Sequence, residues 1–265
     1  MYKLLAMDLD GTLIGNDLIL SPRVRHAVSA ARAQGITAIL ATGRMFRATL
    51  PFARELGITA PAICYQGAMI HSIIPCTMLF HEPVPLDLAR ETIRTAQDRG
   101  FAVLSYLNDW VYAGADSPEA RFYARHSRVE PRFVGDLLQW LTYPPTKLVI
   151  VNENEDQTDE NVAYFRHHFA SKLNITKSYP LFTEIVHRDV SKGHALKELS
   201  HQLGIKQQEI IAIGDNLNDL DMIAYAGLGI AMGQSAPAVQ QIAKWVAPPQ
   251  HEDGVAAAIE HFLLN

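Results

Sequence analysis

The chain has 265 residues, 48% hydrophobic and 19% charged, which is material for one large or two modest globular domains. Its 23 basic and 28 acidic residues leave a formal charge of −5 with no basic block, which argues against nucleic acid or an anionic membrane as the main partner. No apolar segment approaches the length of a membrane span, Asp8 interrupts the N-terminus too early for a signal peptide, and Cys64 and Cys76 form no metal or redox motif. A cytoplasmic protein with two buried thiols is expected.

In chain order, Leu4–Met7 reads as a buried strand that ends in Asp8-Leu9-Asp10-Gly11-Thr12. Asp-Gly is a common turn, and the ordinary reading is a hairpin. Two carboxylates at the end of a buried strand nevertheless carry a desolvation cost of several kcal/mol unless a cation or hydrogen-bond donors compensate. Ser21-Pro22 caps a helix running to about Gln34, with Gly35 as its stop. The next apolar strand, Ile36–Ala41, leads into Thr42-Gly43-Arg44 and a helix over about Met45–Glu55. A threonine hydroxyl, a glycine amide and a helix start make an anion cradle, although each is also common at a plain N-cap. Pro61–Tyr65 is a third short strand, and the alternation of apolar strands with helices predicts a parallel sheet covered on both faces.

From about Glu82 the pattern changes. Helix Leu86–Arg99 precedes two strands, Phe101–Leu107 and Asp109–Ala113. A helix opened by Ser117-Pro118 and the strand Lys147–Asn152 follow, then a second helix–strand–strand run over Asp156–Ala170, Ile175–Tyr179 and Phe182–His187. This predicts an inserted α+β unit, residues 83–189, within a doubly wound α/β core of residues 1–82 and 190–265. The two neighbouring linkers, at about residues 80–84 and 187–191, would suit a lid over the strand ends, where open α/β sheets place their ligands. Within the insertion, Trp110, Tyr112, Phe122 and Tyr123 are either core aromatics or contacts for a ligand. The eleven histidines show no ligand spacing, and His167-His168 point to different helix faces.

The core pattern resumes after Val190. Lys192 opens a helix over about Gly193–Leu203, where a cation opposes the helix dipole. A surface lysine is the common case there, but a lysine entering a site of carboxylates is favourably placed. Strand Glu209–Ile213 then ends in Gly214-Asp215-Asn216-Leu217-Asn218-Asp219, with Asp215 and Asp219 expected one turn apart on one helix face. A calcium loop is excluded, because Leu217 and Leu220 fill its third and sixth positions. Ala226–Gly233 opens a strand, with the wrong spacing for a dinucleotide fingerprint.

Together these four segments resemble the motifs of the haloacid dehalogenase superfamily of aspartate-nucleophile phosphohydrolases, and more narrowly its Cof-type phosphatases with a large inserted cap. Asp8-Leu9-Asp10-Gly11-Thr12 matches the first motif, Thr42-Gly43-Arg44 the second, Lys192 the third and Gly214-Asp215 through Asn218-Asp219 the fourth. Glu252-Asp253-Gly254-Val255 is similar to the C-terminal part of the same family. Gln66-Gly67-Ala68 stands where the family usually has Asn-Gly-Ala, and Gln234 where asparagine is common.

The resemblance implies a Mg²⁺-dependent phosphomonoester hydrolase acting on small phosphorylated metabolites, sugar phosphates or phosphorylated cofactors. Asp8 would be the nucleophile and Asp10 the general acid and base. Asp8, the Asp10 backbone carbonyl and Asp215 would hold the metal, with Asp219 orienting its waters. Lys192, Thr42, Asn218 and the amides of Gly43 and Leu9 would hold the phosphoryl oxygens, while the cap selects the leaving group. A phosphotransferase or phosphomutase on the same scaffold, and a non-catalytic sensor of phosphorylated metabolites, remain alternatives. The long insertion speaks against a receiver domain, and oligomeric state is not readable.

Overall fold

The computed structural model describes residues 1–264. The chain divides into two compact units, one of Met1–Gly43, Thr49–Phe80 and Ser191 onward, the other of Arg44–Ala48 and His81–Val190.

The first unit begins with β1 (Leu4–Met7), α1 (Pro22–Ala33), β2 (Thr37–Leu40), α2 (Phe46–Glu55) and β3 (Ala62–Cys64). Ser21 caps α1 by accepting from the Val24 amide, with Pro22 at the first helical position. After β3 the chain makes a left-handed turn over Tyr65–Gly67 and continues as β4 (Met69–Ser72) and β5 (Thr77–His81), so that β3, β4 and β5 form a small sheet. Sequence pattern did not foresee this hairpin. It leaves Cys76 exposed in its connecting loop, contrary to the buried thiol expected there, whereas Cys64 on β3 is buried.

The second unit contains α3 (Leu86–Asp98), β6 (Ala102–Leu107), β7 (Trp110–Ala113), α4 (Pro118–Ser127), β8 (Arg132–Phe133), α5 (Leu137–Trp140), β9 (Lys147–Val151), α6 (Glu155–Phe169), β10 (Leu173–Tyr179) and β11 (Phe182–His187). Its six strands order as β10-β11-β9-β6-β7-β8, all antiparallel except the β7–β8 pair. α3, α5 and α6 cover one face through an apolar cluster that includes Ala89, Ile93, Leu148, Ile150, Phe165 and Ile185. α4 packs on β6 and β9. Tyr106 and Tyr123 meet there through their hydroxyls, and Lys147, 2% exposed, donates at 2.9 Å to the buried Glu184. Of the four aromatics that could have been ligand contacts, Tyr123 is buried in the core and Tyr112 packs on Trp140. Trp110 lies between the guanidinium groups of Arg47 and Arg132, at 3.5 and 3.4 Å from its ring centre. The Arg47 amide also donates to Asp109, which explains why Arg44–Ala48 groups with this unit rather than with its sequence neighbours.

The chain then returns to the first unit with α7 (Lys192–Gln202), β12 (Ile210–Gly214), α8 (Leu220–Tyr225), β13 (Leu228–Ala231), α9 (Pro237–Ile242), β14 (Trp245–Val246) and α10 (Gly254–Ile259). The main sheet is parallel throughout, in the order β14-β13-β12-β1-β2, with β3 touching its edge by a bridge between Ala41 and Ile63. Leu4 and Ala6 of β1 share a cluster with Leu196 of α7 and Met222 of α8. Leu5 and Met7, equally buried, must face the other way because successive side chains alternate. α1 and α10 pack together, and α1 packs on β2. Burial on both faces explains why these strands read as unbroken apolar runs. Among the described residues, no helix is long and apolar enough to cross a membrane.

The Lys147–Glu184 pair gives a direct test of the second unit. Lys147→Met leaves a buried carboxylate without its cation and is expected to cost about 3–5 kcal/mol in urea unfolding, whereas Lys147→Met combined with Glu184→Leu should recover most of that loss.

Candidate active site

The register of three strands builds the site. β1 lies between β2 and β12, with Met7 opposite Leu40 on one side and Ile213 on the other. The residues that follow each strand therefore emerge side by side: Asp8-Leu9-Asp10 from β1, Ala41-Thr42-Gly43 from β2 and Asp215 after β12. The ladder extends to them, since the Asp8 amide donates to Ile213 and the Ala41 amide to Met7.

Asp8, Lys192 and Asp219 form the centre. Lys192, the first residue of α7, is 1% exposed, and its Nζ donates at 2.6 Å to Asp8 Oδ1 and at 2.6 Å to Asp219 Oδ1. Burial alone would lower the ammonium pKa, but Asp219 and Asp8 outweigh it and raise it. Ser191 caps α7 through the His194 amide, and Asp221 accepts from the Gly193 amide at 3.0 Å. A cation at a helix start is thus offset by nearby carboxylates. Burial also pushes the Asp8 carboxyl well above its ordinary range against the pull of Lys192, with Asp219 and Asp215 raising it further.

Asp215 and Asp219 converge by a route other than the expected shared helix face. α8 begins only at Leu220, after a single tight turn over Leu217–Asp219. Asp219 folds back so that its Oδ2 accepts from the amides of Asp215 and Asn216, at 3.0 and 3.1 Å. The backbone donors of the loop are satisfied this way, and Asp219 is fully buried. Asp215 accepts from the Thr12 hydroxyl at 3.0 Å, and burial, with Asp219 beside it, raises its pKa to about 7. Carboxylate oxygens of Asp8, Asp215 and Asp219 lie within 4.8 Å of one another. With one ammonium among three acids, the cluster has more carboxyl groups than cations, and the carboxyl donors are all oxygen. That set fits a hard divalent cation.

Around this centre, Asp10 is exposed and Leu9 is buried, its carbonyl accepting from the amides of Thr12, Leu13 and Ile14. Thr42 is buried, with its amide on the Ile63 carbonyl. Gly11 has φ +81°, and a Cβ there would run into the Asp215 carboxylate, so glycine is required on both counts. Asn218 donates to Gln66 at 2.9 Å. Sequence reasoning missed Thr12 as a partner of Asp215, Asp221 as the anchor of α7, and Gln234, which donates to the Gly11 carbonyl. Thr12 gave a signal by its place two residues after Asp10, and Gln234 by standing where the family commonly has asparagine; Asp221 gave none.

A doubly wound α/β core with a carboxylate–lysine cluster at the carboxyl ends of its central strands defines an enzyme with an acidic, cation-ready centre. The chain belongs to the haloacid dehalogenase-like hydrolase family, whose pattern matches residues 5–259. It is 28% identical to 5-amino-6-(5-phospho-D-ribitylamino)uracil phosphatase YitU of Bacillus subtilis, over 98% of this chain and 97% of that protein. Among solved structures, a haloacid dehalogenase-like hydrolase from Bacteroides thetaiotaomicron superposes with a TM-score of 0.89 at 30% identity, covering 98% of this chain and 99% of that one. TM0651 from Thermotoga maritima superposes with a TM-score of 0.88 at 29% identity over the whole of both chains.

Lys192→Met should expose the electrostatics of the cluster. Without the ammonium, the Asp8 carboxyl is penalised only where it is ionised. Because burial raises the Asp8 pKa, that penalty is absent at low pH and grows as pH rises through the folded-state value. In the metal-free protein the variant should therefore lose about 3–5 kcal/mol at the alkaline end of a pH series and less toward its acidic end, measured by urea unfolding across the series.

Proposed function

We propose that the protein is a Mg²⁺-dependent phosphomonoester hydrolase of small phosphorylated metabolites that works through an aspartyl-phosphate on Asp8. The observation that carries this reading is the Asp8 carboxylate at the end of the central strand, held at 2.6 Å by Lys192 and within 4.8 Å of Asp215 and Asp219.

Asp8 attacks the phosphorus of the ester as the bond to the leaving oxygen breaks, and Asp10, acting as general acid, gives a proton to the departing alkoxide. The second half-reaction reuses Asp10, now a carboxylate, to take a proton from water as that water attacks the same phosphorus. Orthophosphate leaves and Asp8 is regenerated. Exposure suits Asp10 for exchange with leaving group and solvent, whereas the buried Asp8 is fixed in orientation by Lys192. Asp8, the backbone carbonyl of Asp10 and Asp215 would hold Mg²⁺, with Asp219 acting on its waters. When bound, the ion offsets the repulsion between an anionic nucleophile and an anionic phosphate, a term that grows in a water-poor site. Lys192 contributes to the same balance. Thr42, Asn218 and the amides of Gly43 and Leu9 would fix the phosphoryl oxygens, which is where such enzymes gain most of their rate.

Residues 83–189 would act as the cap that chooses the leaving group, with the core in residues 1–82 and 190–265. The substrate class extends to phosphorylated sugars and cofactor intermediates, the relative YitU being named for a phosphorylated ribitylaminouracil. A cytoplasmic location would fit such substrates.

Release of inorganic phosphate from p-nitrophenyl phosphate tests this reading. Wild-type protein should turn over with Mg²⁺ and stop with EDTA; Asp8→Asn should fall below detection while remaining folded, and Asp10→Asn should lose about 10²–10⁴-fold. Turnover by Asp8→Asn at the wild-type rate would overturn it. Mg²⁺ should also raise the Tm of the wild type. The rise should be larger near pH 8 than near pH 5.5, because Asp215 must lose a proton to serve as ligand, and Asp215→Asn should abolish it.

A further inference from the structure

We propose that Gln66 is a positioning residue that ties the Asn218 loop to the Thr42-Gly43 turn and so fixes the pocket for the transferred phosphoryl group; this rests on the hydrolase reading above. Four observations converge on it. Gln66 is 4% exposed, although a neutral amide has no need to be inside. Its Oε1 accepts from Asn218 Nδ2 at 2.9 Å, across 152 residues of sequence, and its backbone amide donates to the Thr42 carbonyl at 3.1 Å. Its side-chain amide lies against the Cα of Gly43, where any Cβ would collide with it. One residue thus touches the loops that follow β2 and β12.

The backbone explains how Gln66 reaches both. Tyr65, Gln66 and Gly67 have φ values of 53°, 61° and 103°, three successive residues in the left-handed region. That conformation is uncommon for a residue with a Cβ and is unfavourable by about 1 kcal/mol or more at each such position. Gly67 allows the turn to press against the start of α7, because a Cβ there would strike the Ser191 carbonyl, one residue before Lys192. The strained turn is therefore wedged between three segments of the site.

Asn218 shows what Gln66 controls. Its Oδ1 is buried with no hydrogen-bond partner, so the amide is held only through Nδ2 and the contact with Gln66. Nδ2 carries two hydrogens. Engaging one on Gln66 sets the plane of the amide and aims the other. Without Gln66 the side chain is free to rotate, and a donor for a phosphoryl oxygen loses its fixed direction.

The test is a double-mutant cycle in the full-length Mg²⁺-loaded protein, with Gln66→Ala, Asn218→Ala and both. Three quantities are read: kcat and KM for p-nitrophenyl phosphate, the affinity for inorganic phosphate by calorimetry, and Tm without phosphate. Gln66→Ala is expected to lower kcat/KM and phosphate affinity about tenfold each, with a modest fall in Tm that leaves the protein folded at the assay temperature. The double variant should be no worse than the more damaged single one, because the two residues act as a unit. Multiplying losses, or a Gln66→Ala protein that keeps wild-type kcat/KM and phosphate affinity, would overturn the proposal while leaving the hydrolase reading intact. A wild type that neither turns over p-nitrophenyl phosphate nor binds phosphate would remove both. A wild type that binds phosphate without turnover removes only the hydrolase reading, and the phosphate affinities of the variants still decide for or against Gln66.

Discussion

Lys192 donates at 2.6 Å to Asp8 and to Asp219, and the three side chains lie almost wholly out of water. Removing three charges from water is costly, and such a set persists only where geometry and extra hydrogen bonds are good. The surrounding structure meets that demand locally. Asp219 takes two backbone amides, Asp215 takes the Thr12 hydroxyl, and the start of α7 is held by Asp221. Gly11 leaves room for the Asp215 carboxylate. These contacts tie the ends of β1 and β12 and the start of α7 together.

The same cluster remains under-compensated. One ammonium stands among three carboxylates, and burial raises the Asp8 and Asp215 carboxyl groups instead of leaving them in their ordinary range. A fold selected only for stability would replace such a centre with apolar side chains of similar volume. Such a centre is the strain expected where a cation and an anionic ligand complete the charge balance.

Much of this was legible in the sequence, for a definite reason. Strands buried on both faces read as continuous apolar runs, and acid directly after such runs, as at Asp8 and Asp215, contradicts the surrounding pattern. Helix starts were equally readable, because Ser21-Pro22 and Ser117-Pro118 place cap and first helical residue side by side. What was lost depends on local turns or on distant contacts. The β4–β5 hairpin has short strands and no turn dipeptide, so Cys76 was wrongly expected to be buried. Asp219 returns to its own loop because the backbone there needs acceptors, a demand invisible in residue spacing. Arg44–Ala48 joins the second unit through Asp109 and Trp110, more than sixty residues away in sequence. Gln66 stood out in sequence only as a departure from the family's asparagine; its contacts were not readable, since they depend on three successive left-handed residues.

The central claim is that Asp8 becomes covalently phosphorylated during turnover. Rapid acid quench of the Mg²⁺-loaded enzyme with a phosphate monoester, followed by peptide mass mapping, measures this most directly. The expected result is one added phosphoryl group on the peptide containing Asp8, absent from the Asp8→Asn protein and lost on alkaline treatment. Steady turnover with no phosphorylated peptide, or a phosphoryl group on a different side chain, would contradict it.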